Sequence, residues 1–342
     1  MIFSDINSVI MVFIYGLFAS AISFLTIYFV MPKSITSLRE KGSIVQDYHK
    51  PEKPMIPRPA GPVLIMGIAI SLIVVYLLTF NEKCLAILLS TVIAFLVGYI
   101  DDKKVMPGWF KPAALLASAL PIILLGAYDT NLNLIFGHAF IPLLYIPLIL
   151  IAIPVIGNTV NSIDVLNGVA SGFMLIACIP LMISVFIFGS IEVFLASLSL
   201  FFGTIALYKF HKFPSKIFPG DSGTLLLGAM YGAIAIAGKS ELIAIIALLP
   251  AIFNSFLFLS SVKRIVEHRE ITARPTFLTD DFKLAASKDR KAPITLLRLL
   301  LVDGSLSEDE LGKRIFKLAI FSSILALISI VIQYYFVMGG RI

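Results

Sequence analysis

The stretch that decides the fold is LAILLSTVIAFLVGYI, residues 85–100, followed at once by DDKKVMPGWFKP, residues 101–112. An uncharged run of that length, stopped by two aspartates and two lysines, reads as a membrane span ending at a membrane surface. Working outward, similar apolar runs recur at 9–31, 61–80, 113–127, 140–157, 169–189, 192–208, 223–238, 242–261 and 318–337, ten in all with the first. Ten helices of about 20 residues would take up roughly 200 positions. The chain has 342 residues, 58% hydrophobic and only 14% charged. Soluble domains average about 45–50% apolar and about 25% charged. These figures exclude a soluble enzyme with one buried core, a disordered chain and a secreted disulfide scaffold. Cys84 and Cys178 sit in or beside apolar runs, in no CxxC pattern, and read as apolar filler. The expected fold class is an all-α polytopic membrane protein of about ten transmembrane helices.

The sides of the membrane follow from the basic residues. The first run is too long for a signal-peptide core and has no basic leader, so it is expected to stay as an anchor. Only Asp5 precedes it, whereas Lys33, Arg39 and Lys41 follow, which puts its N-terminus outside. Alternating from there makes 32–60, 101–112, 158–168, 209–222 and 262–317 the inner loops. They hold 24 of the 27 Lys and Arg residues, leaving Lys83, Lys239 and Arg341 outside, and 16 of the 21 Asp and Glu residues. Both termini are therefore expected outside, in a multi-pass protein of the cell membrane. The net charge of +6 is explained by sidedness and calls for no nucleic-acid partner. The chain reads as one integral membrane domain over 1–342, with 262–317 a long cytoplasmic loop before the last helix. Within that loop, 296–302 is suited to lie in the interface as an amphipathic helix. Ser307 and Glu310 form a capping-box pattern that would open the last helix.

Polar residues of unusual type gather in these inner loops. Asp101 and Asp102 are adjacent carboxylates, a pair that favours a shared cation or proton, with Lys111 downstream. Asn158, Asn161, Asp164 and Asn167 recur every three residues before Gly168, so a helix would place them near one face. They offer carboxylate and amide oxygens, the hard donors that Mg²⁺ prefers. Asp221 lies between glycines where a span begins, and a helix N-terminus suits phosphate. His268, Arg269 and Arg274 could grip a diphosphate or be topogenic charge. The first loop carries Asp47, His49, Lys50, Lys53 and Arg58 among four prolines, which stiffen it. The inventory fits a metal-assisted reaction between a phosphorylated soluble substrate and a membrane-held one.

Read in order, the loops resemble the polyprenyl-phosphate N-acetylhexosamine-1-phosphate transferases, glycosyltransferase family 4. The resemblance rests on Asp101-Asp102 with Lys111, on Asn158-x-x-Asn161-x-x-Asp164-x-x-Asn167-Gly168, on Pro219-Gly220-Asp221-Ser222-Gly223, and on the basic loop at His268-Arg269. It implies a single transferase domain that moves a sugar 1-phosphate from a UDP-sugar to a polyprenyl or dolichyl phosphate. The products would be UMP and a polyprenyl-diphosphate sugar. It further implies Mg²⁺, or Mn²⁺, as cofactor, with Asn161 and Asp221 as its ligands. Asp101, Asp102, Lys111 and Asp164 would be catalytic, and Asn167 would read uracil. Lys53, Asn158, His268, Arg269 and Arg274 would complete the substrate-binding set. Direct attack by the acceptor and a two-step route through an aspartyl intermediate would use the same carboxylates. A homodimer is compatible with the resemblance.

Two departures bear on the branch of the family. The consecutive histidines typical of phospho-MurNAc-pentapeptide translocases are absent from 262–280, and the first inner loop ends Ala60-Gly61 rather than in paired glycines. The Asp47-x-His49-Lys50-x-x-Lys53-Pro54 stretch looks more like the archaeal and eukaryotic-type enzymes that use UDP-GlcNAc and dolichyl phosphate. The expected function is therefore GlcNAc-1-phosphate transfer, the first membrane step of glycan assembly such as protein N-glycosylation. The alternative is an undecaprenyl-phosphate sugar-1-phosphate transferase of cell-wall or surface-polysaccharide synthesis. The rival from another class is a nucleotide-sugar or lipid transporter.

Overall fold

The computed structural model describes residues 6–104, 106–263 and 271–338. Among these residues, eight helices are long and apolar enough to cross a membrane. They are α1 (Ile6–Glu40), α2 (Gly61–Thr79), α3 (Glu82–Lys103), α6 (Pro142–Ser162), α7 (Val169–Phe188), α8 (Ile191–His211), α9 (Gly220–Ala237) and α13 (Glu308–Met338). The two remaining apolar runs are also helical but broken. Residues 110–124 form α4 (Phe110–Leu115), a 3₁₀ turn and α5 (Leu120–Leu124). Residues 241–262 form α10 (Glu241–Ala247) and α11 (Leu249–Val262), bent by 72°. The breaks fall beside prolines: Pro112 inside α4, Pro121 in the first turn of α5 and Pro250 in the first turn of α11. Proline has no N–H to donate to the preceding turn. Fifteen helical residues rise only about 22 Å, short of an average hydrocarbon core of about 30 Å.

Side-chain contacts sort the ends of the helices into two groups. At one end, Lys239 pairs with Asp129 at 2.5 Å and Asn133 donates to the Lys239 carbonyl at 3.1 Å. Lys83 donates to the Ala237 carbonyl at 3.2 Å, Cys84 to that of Glu192, and Phe136 packs edge-on against Phe336. These are the connections expected outside. The segments expected inside meet at the opposite end, which is called the inner end below. Lys111 is at the inner end and Asp129 at the other, so even the short 110–124 segment runs between the two. The segments therefore alternate between the two ends, but among the described residues only eight are of span length, nine with the bent pair, where ten were expected.

α9 is the centre of the bundle, with all 18 residues buried. Its small residues let neighbouring backbones approach closely. A Cβ at Gly98 of α3 would come within 2.5 Å of the Asp221 carbonyl oxygen, and one at Gly61 of α2 within 2.1 Å of the Ser222 hydroxyl. The first turn of α9 is thus wedged between α2 and α3. Both cysteines are buried and unpaired.

Three two-stranded hairpins, absent from the sequence reading, connect helices: β1 (Ile44–Gln46) with β2 (Met55–Pro57), β3 (Asn131–Leu134) with β4 (Gly137–Phe140), and β5 (Thr276–Leu278) with β6 (Leu284–Ala286). The four polar positions 158 to 167 do not share one helix. α6 stops at Ser162, so Asn158 and Asn161 are helical while Asp164 and Asn167 lie in the turn to α7. Gly168 closes that turn at φ +79°, where a Cβ would meet Lys212 Cα at 2.8 Å. The stretch 296–302, expected to lie in the interface, contains the short helix α12 (Leu296–Leu300), with Leu296 and Leu297 buried. The capping box forms as read: the Ser307 N–H and hydroxyl donate to Glu310 Oε2, and the Glu310 N–H donates to Ser307 Oγ.

Candidate active site

Four aspartates, one arginine and one lysine converge at the inner end from separate parts of the chain. The last turn of α3 presents Asp101 and Asp102, and the start of α4 presents Lys111. The turn after α6 brings Asp164, the first turn of α9 brings Asp221, and β2 leads into Arg58. Lys111 Nζ lies 2.7 Å from Asp101 Oδ2 and 3.4 Å from Asp221 Oδ2. Arg58 Nη2 lies 2.9 Å from Asp102 Oδ1 and 3.4 Å from Asp221 Oδ2. Asp221 Oδ2 therefore stands between the two cations. Asp101 also accepts the Met106 N–H at 2.8 Å, fixing the turn that leads to Lys111.

The adjacent pair Asp101 and Asp102 does two different jobs. Both oxygens of Asp102 are spent on α9 and Arg58. Oδ1 accepts the Asp221 N–H at 2.9 Å besides the guanidinium, and Oδ2 accepts the Ser222 N–H at 2.9 Å and the Ser222 hydroxyl at 2.6 Å. A carboxylate on free N–H groups at a helix start satisfies them and meets the positive end of the helix dipole. Here the capping group comes from another helix, so Asp221 has no capping to do. Gly220 makes room for it: at φ +72°, a Cβ there would lie 2.7 Å from Asp102 Oδ2.

Around this core, Asn161 Oδ1 accepts the Thr224 hydroxyl at 2.6 Å, which ties the end of α6 to the first turn of α9. Asp164 Oδ1 is 3.6 Å from Nε2 of the buried His211, whose Nδ1 meets Ser171 Oγ at 2.8 Å. Burial pushes the Asp164 carboxyl up to about 7; Arg58 pulls it down, while the charges of Asp221 and Asp102 push it further up. Burial works against the Arg58 charge, yet Asp102, Asp221 and Asp164 together hold the guanidinium above its ordinary value.

A second cluster braces the loops next to this core. The Asn167 amide donates to Glu308 Oε1 at 2.7 Å and to Asp47 Oδ2 at 3.1 Å. Its oxygen accepts from Lys50 Nζ at 2.8 Å and from the Ser215 N–H at 2.7 Å, and its own N–H donates to Glu308 Oε1. Asn167 thereby joins four segments, and every polar atom of its side chain is satisfied inside the protein. Asp47, His49 and Glu308 offer ligand atoms within 4.8 Å of one another. Lys50 pairs with Asp47 and sits 3.4 Å from Glu308, so an ammonium already supplies the countercharge there.

Of the residues picked from sequence, Asp101, Asp102, Lys111, Asn161, Asp164 and Asp221 come together, and Asn167 lies in the neighbouring brace. Asn158 donates back to the Pro154 carbonyl of its own helix, away from the cluster. Lys53 at the β1–β2 turn and Arg274 are exposed, with no side-chain partner among the described residues. His268 and Arg269 lie outside the described residues. In the sequence, Asp47, Lys50 and Arg58 stand out among the polar residues of the first loop without a role at the site, and Glu308 and His211 carry no such mark. The prolines flanking Arg58 were the one available signal, since they hold its backbone in place. Nothing local marked Glu308, 250 residues from Arg58.

Residues 84–239, which include Asp101, Asp102, Lys111, Asn161, Asp164 and Asp221, match the family model of glycosyl transferase family 4. The chain is similar to the phospho-N-acetylmuramoyl-pentapeptide-transferase of Staphylococcus aureus strain MSSA476, 29% identical over 254 residues, covering 68% of this chain and 78% of that protein. The same enzyme from strain JH9 is 28% identical with the same coverage.

Proposed function

We propose that this chain is a membrane transferase that moves a sugar 1-phosphate from a UDP-activated N-acetylhexosamine to a polyprenyl phosphate. The observation that carries the reading is the convergence of Asp101, Asp102, Asp164 and Asp221 with Arg58 and Lys111 at one end of a membrane bundle. The family match over the same residues supports it. In the reaction, an oxygen of the acceptor phosphate forms a bond to the sugar-bearing phosphorus of the donor. The bond from that phosphorus to the bridging oxygen breaks, and UMP leaves with the electron pair. Bringing two phosphate anions together costs Coulomb energy, which cations in a partly desolvated site offset. Arg58 and Lys111 are placed to do so, and Asp101, salt-bridged to Lys111, is the carboxylate best placed to orient the acceptor or take its proton. Asp102 sets the position of Asp221 by capping α9. Asn167 braces the loops around the donor.

The donor set also fits a divalent cation. Four carboxylates face two cationic side chains, so carboxylates outnumber cations in a largely buried site and a further positive charge would be accommodated there. Asp221 and Asn161, whose helices are tied by the Thr224 hydroxyl, would hold Mg²⁺ or Mn²⁺, with Asp164 nearby. The ion would neutralise charge on the donor diphosphate. The inner end is read as cytoplasmic, where a nucleotide sugar is available.

Between the two branches, the relatives favour the alternative, an undecaprenyl-phosphate sugar-1-phosphate transferase of cell-wall or surface-polysaccharide synthesis. The UDP-GlcNAc and dolichyl-phosphate reading keeps the support of the 47–54 stretch and of the missing consecutive histidines. Purified protein with Mg²⁺ is incubated with undecaprenyl or dolichyl phosphate and a panel of donors that includes UDP-GlcNAc and UDP-MurNAc-pentapeptide, and UMP release is measured. UMP that requires both donor and acceptor, and is lost in Asp221→Ala, is expected. No UMP with any pair, together with donor-dependent flux into vesicles, would favour a transporter.

A further inference from the structure

The inner end carries a second polar feature away from the aspartate cluster. A groove of about 800 Å³ runs between the last turn of α11 and the lobe formed by residues 271–306. Lys263, Lys288, Arg290, Lys291 and Arg298 line it, and among the described residues no carboxylate does. Arg298 is fixed by its hydrogen bonds to the carbonyls of Ala292, Pro293 and Asp289. Asp289 turns its carboxylate to the Lys291 N–H. The other four cations have no ion-pair partner among the described residues.

The same groove has an apolar rim. Phe277, Leu299 and Val302 line it and are 53%, 42% and 69% exposed. Its position is set by α11, whose last turn ends the bent membrane segment: the Ile294 N–H donates to Ser261 Oγ and the Leu296 N–H to Asn254 Oδ1, clamping the lobe to that helix. The groove therefore opens beside the inner end of that apolar segment, among the loops that gather there. A soluble anion would satisfy the cations and leave the apolar rim in water. A molecule with a phosphate at the surface and acyl chains below it satisfies both.

We propose that this groove binds the headgroup of an anionic phospholipid from the surrounding bilayer. The site is separate from the aspartate cluster and independent of the transferase reading. The full chain is reconstituted in lipid nanodiscs containing phosphatidylcholine and phosphatidylglycerol, and retained lipids are counted by native mass spectrometry. Phosphatidylglycerol should be retained selectively. In the Lys288→Ser/Lys291→Ser double variant its affinity should fall about fivefold per charge, on the order of 30-fold in all, with phosphatidylcholine unchanged. A photoactivatable phosphatidylglycerol on the unaltered protein should crosslink within 285–302, a readout that does not depend on how the variant folds. Equal retention of both lipids, retention indifferent to the substitutions, crosslinks elsewhere, or one-for-one displacement by polyprenyl phosphate would each overturn the assignment.

Discussion

Asp102 and Ser222 meet twice: Asp102 Oδ2 accepts the Ser222 main-chain N–H at 2.9 Å and its hydroxyl at 2.6 Å. The start of the most buried helix in the bundle is thus capped by a side chain of α3. The two neighbouring aspartates should therefore fail differently when replaced. Asp102→Ala removes the cap and leaves Arg58 without its closest partner, which should cost about 2–4 kcal/mol of stability. Asp101→Asn keeps shape and leaves the cap in place, and Lys111 keeps Asp221 as a partner, so it should cost less stability than Asp102→Ala, while lowering turnover far more than affinity for the UDP-sugar. Thermal unfolding and steady-state kinetics on both variants check this, and equal effects in the two would refute the division of roles.

Asn167 draws together the first, third and fourth inner loops and the start of α13. Asn167→Ala should strand Lys50, Asp47 and Glu308 with fewer partners in a buried place and destabilise the protein by about 2–4 kcal/mol. Unfolding in detergent measures the loss. A variant of unchanged stability would mean that the amide is free to serve a ligand instead.

Stability without metal should depend on pH through Asp164. Its carboxyl titrates near 7 in the folded chain and near 3.9 when unfolded. Between those values the folded state holds a proton that the unfolded state has lost, so stability falls as pH rises from about 4 to about 7 and then levels. Melting temperature in the presence of a chelator should show this slope, and Asp164→Asn should flatten it. An unaltered slope in the variant would assign the titration to another group.

The two ends of the bundle should label from opposite sides of the membrane. In a chain with Cys84 and Cys178 replaced, Phe136→Cys on the β3–β4 hairpin should react with an impermeant maleimide on intact cells. Lys53→Cys on the β1–β2 turn should react only after lysis. Labelling of both positions from outside would break the alternation of ten segments.

Much of this arrangement was legible because a bilayer leaves few choices. Apolar runs of span length have to be helices, since an unpaired backbone is too costly in lipid, and the distribution of Lys and Arg settles which loops share a side. The Asp101-Asp102 pair, Asn161, Asp164 and Asp221 stood out because carboxylates and amides are scarce in a chain that is 14% charged. Prolines could be seen, but not that Pro250 would bend one run by 72° while α6 and α7 remain continuous through Pro154 and Pro180.

The sequence by itself determined the helical class, which loops gather at the same end and the set of acidic residues, because each depends on local composition and on transfer from water to lipid. Only the tertiary structure decided what those residues do. Asp101 and Asp102 are chemically identical neighbours, yet successive side chains on a helix point about 100° apart. One reaches Lys111 and the other the start of α9. Arg58, Lys50 and Glu308 enter the site only when distant segments pack side by side, and no spacing along the chain encodes that proximity.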